Sequence, residues 1–107
     1  MTALIYCAFP DRETAEKIGS TLLDEGLIGC INIGGPIRSL FAWDGERGEG
    51  TEVPSLLKTN ARLLDKAVAR LESLHPYDAP AILGWNCDAA GAATHAWLDG
   101  IGPASGG

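Results

Sequence analysis

Residues 73–80 read SLHPYDAP, so an imidazole, a phenol and a carboxylate stand close around two prolines. Far upstream, Cys7 sits in the apolar run ALIYCAF. A thiolate from Cys7 and an imidazole from His75 together suit copper or zinc. A structural metal site wants four ligands, so this pair needs Asp78, water or a second chain to complete it. His75 has another reading. It ends a helix and bonds a carbonyl near the negative end, with Cys7 as a small core hydrophobe. Tyr77 beside Asp78 has the residue types for acid–base work. The same two residues serve equally to pack a ring, tie its hydroxyl and shape the turn before Pro80.

Other reactive side chains are more dispersed. Cys30 lies in an alternating stretch beside Asn32, with no evident base or cation to activate it, which favours an inert buried thiol. Lys58 stands just ahead of a candidate helix start at Asn60, where a helix N-terminus attracts anions. A cleft involving Lys58, Tyr77 and Asp78 would take the carboxylate or phosphate of a small effector. The plain alternative for Lys58 is a solvated cation near an acid. The acids of GEGTE lack the ordered spacing of a calcium loop. No nucleophile elbow, Walker loop, dinucleotide fingerprint or HExxH occurs, so no enzyme is expected. Cysteines at 7, 30 and 87 form no CxxC pair, which excludes a zinc ribbon or dithiol centre. Free thiols fit a reducing cytoplasm.

The chain of 107 residues fits one domain, 1–107, ordered from about 3 to 101, with GPASGG (102–107) as a flexible tail. An apolar fraction of 46% is enough for a globular core and excludes composition-driven disorder. The net charge of −6 and the absence of a Lys/Arg run exclude a nucleic-acid partner. The apolar runs fall short of the roughly 20 residues of a spanning helix, so no membrane segment is expected. No basic stretch precedes an apolar core at the start, so no signal peptide is expected.

The elements that must position these groups follow from periodicity. Residues 3–9 are apolar at both parities, which predicts a strand covered on both faces or paired with another chain. Asp11 is a candidate N-cap, with Ala15, Ile18, Leu22 and Leu23 recurring at helical spacing and Gly26 past the end. Residues 27–42 read as a second extended segment, broken by Gly34-Gly35-Pro36. Asp44-Gly45 marks a turn, a polar Gly-rich stretch follows, and a third strand runs Glu52–Thr59. Pro54 predicts an edge or irregular start to that strand. Asn60 caps a helix striped by Leu64, Ala67, Val68, Leu71 and Leu74, which Pro76 ends. Residues 80–87 form a fourth strand and 91–99 a short last helix. The order β-α-β-β-α-β predicts an α+β, ferredoxin-like sandwich with a long β-hairpin and a short C-terminal helix. Hairpin arms of roughly 12 residues outreach the usual 5–6 and project beyond the covering helices. With Phe41 and Trp43 at its tip, the hairpin predicts a homo-oligomer. Trp97 joins them as an interface residue.

Six pieces then carry a family resemblance: PDRETAEKI (10–18), GLIGCINI (26–33), RSLFAWDGE (38–46), LLKTN (56–60), LHPYDAPAIL (74–83) and AWLDG (96–100). In this order and spacing the chain resembles the CutA divalent-cation-tolerance family from about residue 3 to 100. The resemblance implies a homotrimer in which hairpins of neighbouring subunits pair into continued sheets. It implies binding of a divalent cation, copper first, with Cys7 and His75 on the family's ligand positions. A further ligand histidine of the family falls on Leu74, and the usual Glu after the second proline is Ala81. Glu46, Arg47, Pro54 and Ser55 also depart from the family's pattern. The family's likeness to PII-type signalling trimers implies the alternative, a sensor or adaptor. It would bind an effector or an unknown protein partner in clefts between subunits.

Overall fold

The computed structural model describes residues 1–104. Five strands and three helices alternate as β1 (Thr2–Phe9), α1 (Arg12–Asp24), β2 (Cys30–Ile33), β3 (Ile37–Trp43), β4 (Glu46–Asn60), α2 (Leu64–Leu74), β5 (Ile82–Asn86) and α3 (Ala92–Asp99). The antiparallel sheet runs β2-β4-β1-β5, and β3 extends it by pairing with the first half of β4. With β2 and β3 counted as one interrupted arm, this is the split βαβ order expected from the sequence.

One parity of β1 builds the core. Ala3, Ile5, Cys7 and Phe9 are fully buried, together with Leu57 of β4, Leu22 of α1 and Leu71 of α2. Each large apolar side chain buried this way contributes about 1.5–3 kcal/mol. α1 starts at Asp11, whose carboxylate accepts the Thr14 N–H at 2.7 Å. It ends in a Schellman motif: Gly26 at φ +71° donates to the Leu23 carbonyl, and Leu27 donates to that of Leu22. Leu23, expected in the buried stripe, is 42% exposed. Leu22 already stands four residues from Ile18, so the next residue turns about 100° away from the core.

The structure bears on two expectations about the hairpin. The polar Gly-rich stretch after Asp44-Gly45 is strand from Glu46 onward, held by seven cross-strand pairs to β3. Asp44 and Gly45 both have positive φ, at 52° and 79°, the two-residue turn whose twist matches a hairpin. Pro54 lies within central β4, so of the two alternatives the edge fails and the irregular ladder holds. Gly34, Gly35 and Pro36 oppose only Val53 and Pro54, which is a β-bulge. The Gly34 N–H donates to the Pro54 carbonyl at 2.9 Å, so the proline's missing donor also faces the bulge, where no regular ladder partner stands. Of the expected tail, Gly102 and Pro103 lie against Gly26, in the space its absent Cβ leaves. Residues 105–107 of that tail lie outside the described residues.

Asn60 does not cap α2 as expected: the helix begins at Leu64 with Leu63 at its N-cap position and no side-chain cap bond, and Asn60 instead closes the turn ahead of it. Its Oδ1 accepts the Leu63 N–H at 3.0 Å in the turn before α2, and its Nδ2 donates to the Leu98 carbonyl of α3 at 2.8 Å. The β3–β4 ribbon projects past the helices and makes the molecule 44 Å long against 31 and 25 Å. Phe41 lies across Gly48 on one ribbon face, and Arg38 pairs with Glu49 at 2.7 Å.

Candidate functional site

The SLHPYDAP segment folds back over the end of β1. α2 stops because Pro76 disfavours helical geometry at His75, which takes φ −67° and ψ 138° while its N–H still bonds the Leu71 carbonyl. The imidazole is 7% exposed and stacks on Phe9 with centroids 5.1 Å apart and planes 15° apart. Tyr77 tilts against the same ring, with centroids 4.6 Å apart and planes at 56°. Both ring nitrogens are engaged. Nδ1 accepts the Tyr77 N–H at 3.2 Å, which places the proton on Nε2, and Nε2 donates to the Ala8 carbonyl at 2.9 Å.

Cys7 meets His75 at that same carbonyl, with Sγ 3.5 Å from the Ala8 oxygen. The two expected ligands are therefore brought together. Burial pushes the Cys7 thiol up from 9.0 to about 12, with a smaller push from the Glu52 carboxylate, so the thiol stays protonated. Metal ligation requires a thiolate and an open imidazole nitrogen. Both imidazole nitrogens already hold backbone partners, Cys7 is fully buried, and among the described residues no three His, Cys, Asp or Glu side chains gather into a ligand set. As arranged, Cys7 and His75 do not fit a resident metal ion.

Tyr77 is 38% exposed and donates its hydroxyl to Glu52 Oε2 at 3.0 Å. Partial burial, then that hydrogen bond, raises its phenol to about 12. Asp78 is exposed. Lys58 lies on the sheet face away from the helices, in register with Leu4 on one side and Cys30 on the other. Glu52 and Lys58 are six residues apart on one strand, about 20 Å. The structure thus joins Tyr77 to Glu52 and does not bring Lys58 to Tyr77 and Asp78 within one chain. Glu52 is the residue that sequence reasoning missed, and nothing local marks it, because its partner lies 25 positions away. Ser55, a departure from the family's apolar pattern, is buried and donates to the Cys7 carbonyl at 2.7 Å.

The expected interface residues are exposed: Trp43 at 67% and Phe41 at 50% on the ribbon. Trp97 is half-exposed, with one edge of its indole over Gly29. The outer sheet face adds Tyr6 and its register partner Leu83, and Leu4 and its partner Trp85.

A family model, CutA1 divalent ion tolerance protein, matches residues 3–100. The chain belongs to this family. The divalent-cation tolerance protein CutA of Pyrococcus horikoshii is 42% identical over 85 residues, which is 79% of this chain and 82% of that protein. The crystal structure of CutA1 from Ehrlichia chaffeensis superposes with a TM-score of 0.85 at 34% identity, covering 92% of each chain. The periplasmic CutA of Archaeoglobus fulgidus superposes equally well at 30% identity, covering 92% of this chain and 96% of its own. A CutA protein of Arabidopsis thaliana is chloroplastic. CutA relatives thus occupy several compartments, and the cytoplasmic expectation is not decided by membership. No helix among the described residues is long and apolar enough to cross a membrane.

Proposed function

We propose that this CutA-family chain serves divalent-cation tolerance as a non-enzymatic homotrimer, with copper as the ion it takes first. The observation supporting assembly is the apolar surface left open on one chain. Leu83, Trp85 and Tyr6 line the uncovered sheet face, and Leu40, Phe41 and Trp43 line the ribbon, all at least 37% exposed. Exposed apolar side chains in this number mark an interface. The ribbon also leaves backbone donors and acceptors unpaired along its outer edges, which a sister chain satisfies. The number three comes from the family resemblance, and so does copper. The charge of −6 per chain adds a diffuse attraction for any cation.

Light scattering on the purified protein tests the assembly, with three chains per particle expected. A stable monomer refutes it. Competition for copper against a chelator of known affinity tests the ion. One ion per chain, held at micromolar or tighter and insensitive to added salt, supports the proposal. Weak uptake that vanishes with salt reduces copper to an ion attracted by an acidic surface.

A further inference from the structure

We infer that His75 and Tyr77 form a clasp fastening the root of the projecting ribbon, and that a divalent ion taken by this protein binds without Cys7 and His75. The first clause stands on geometry alone; the second rests on the cation role proposed above.

The ribbon needs a fastening at one particular place. Phe9 pairs with Val53, and beyond that point β4 loses β1 as a neighbour. From Glu52 outward only β3 remains beside it, and a lone two-stranded ribbon is marginal in water. Glu52 is the first residue of that exposed stretch, and the Tyr77 hydroxyl holds its carboxylate at 3.0 Å. Tyr77 is placed in turn by His75, through its own N–H on Nδ1 and through ring contact. His75 is placed by Phe9 beneath it and by the Ala8 carbonyl. The series Phe9–His75–Tyr77–Glu52 thus ties the end of β1 and the end of α2 to the start of the ribbon. Pro76 and Pro80 limit the backbone freedom of the segment carrying it.

The same bonds close the site to metal. A ligating histidine commonly donates one ring N–H to a carbonyl and offers the other nitrogen to the ion. Here the carbonyl contact exists, but the remaining nitrogen faces the Tyr77 amide. Ligation through Nδ1 costs the amide bond that positions Tyr77. Ligation through Nε2 costs the anchor on Ala8. Cys7 has no exposed surface through which to recruit a third donor from water or another chain.

Three measurements decide this. His75 and His95 are the only histidines, so His95→Gln leaves one imidazole for nitrogen NMR. It should show the Nε2–H tautomer, unchanged by one equivalent of Zn(II); deprotonation or a shift of either nitrogen overturns the metal clause. In copper competition, Cys7→Ser and His75→Gln should stay within twofold of wild type. A tenfold loss in either, about 1.4 kcal/mol, overturns it as well. Absence of copper binding by wild type removes the cation role and the second clause with it. The clasp is judged separately. Tyr77→Phe keeps the ring and removes only the bond to Glu52, so amide exchange at residues 46–52 should speed about tenfold while β1 amides hold their rates. Unchanged ribbon exchange overturns the clasp.

Discussion

Cys7 shows how position overrides residue type. A free thiol ordinarily titrates near neutral to mildly alkaline pH, but full burial moves this one to about 12. Alkylation mapped by mass spectrometry at pH 8 should leave Cys7 unmodified in the folded protein and label it after denaturation. Labelling in the native state would contradict its burial. The raised pKa also links stability to pH. The folded state keeps a proton that the unfolded chain loses from about pH 9, so the contribution is complete below pH 9 and is lost as pH rises towards 12. Tyr77 acts in the same direction, raised from 10.0 to about 12. The melting temperature should therefore fall steeply between pH 9 and 12, and Cys7→Ser should soften the fall. A melting temperature flat to pH 11 would mean that these groups titrate normally when folded.

Local chemistry governs the ends of the elements. Asp11 holds the first turn of α1, and its hydrogen bond from Thr14 lowers the carboxyl below its ordinary 3.8. That cap contributes above the unfolded pKa and is lost as pH falls through the folded one, so the melting-temperature loss in Asp11→Ala should be full at pH 7 and shrink as the solution is acidified. Gly26 ends the same helix at positive φ, where an added Cβ also meets Gly102 and Pro103. Gly26→Ala should cost about 1–2 kcal/mol from the left-handed backbone alone, and more from displacing residues 102–103. Chemical denaturation reads this directly, and a neutral result would show that the α1 turn relaxes freely. The bulge is an element-scale compromise of another kind. It lets a proline sit within a central strand by placing three residues against two.

At the scale of the whole molecule, one sheet has two different faces. The helices cover the side of Ile5 and Leu57, while Leu83 remains 63% exposed on the other side. Association that buries this outer face makes stability depend on concentration. The melting temperature should rise over a hundredfold range of protein concentration. Leu83→Lys should abolish that dependence and yield folded monomers by light scattering. A melting temperature independent of concentration in wild type would count against assembly.

Much of this was legible in the residues themselves. Period-2 and period-3.6 patterning placed the strands and helices, and Asp11, Gly26, Asp44-Gly45 and Pro76 marked their ends, because caps and turns are chosen by chemistry a few residues long. Patterning failed at 46–51, where glycines and acids read as loop; only pairing with β3 makes that stretch a strand. The candidate site divides the same way. The residue types of Cys7, His75 and Tyr77 were visible, and so was their reach for metal or proton chemistry. What those groups are free to do was decided by partners 25 to 67 positions away, namely Glu52 for Tyr77 and the Ala8 carbonyl for His75. Hydrogen bonding and burial are properties of the folded neighbourhood, so tertiary structure alone turned a ligand motif into an occupied imidazole and a protonated thiol.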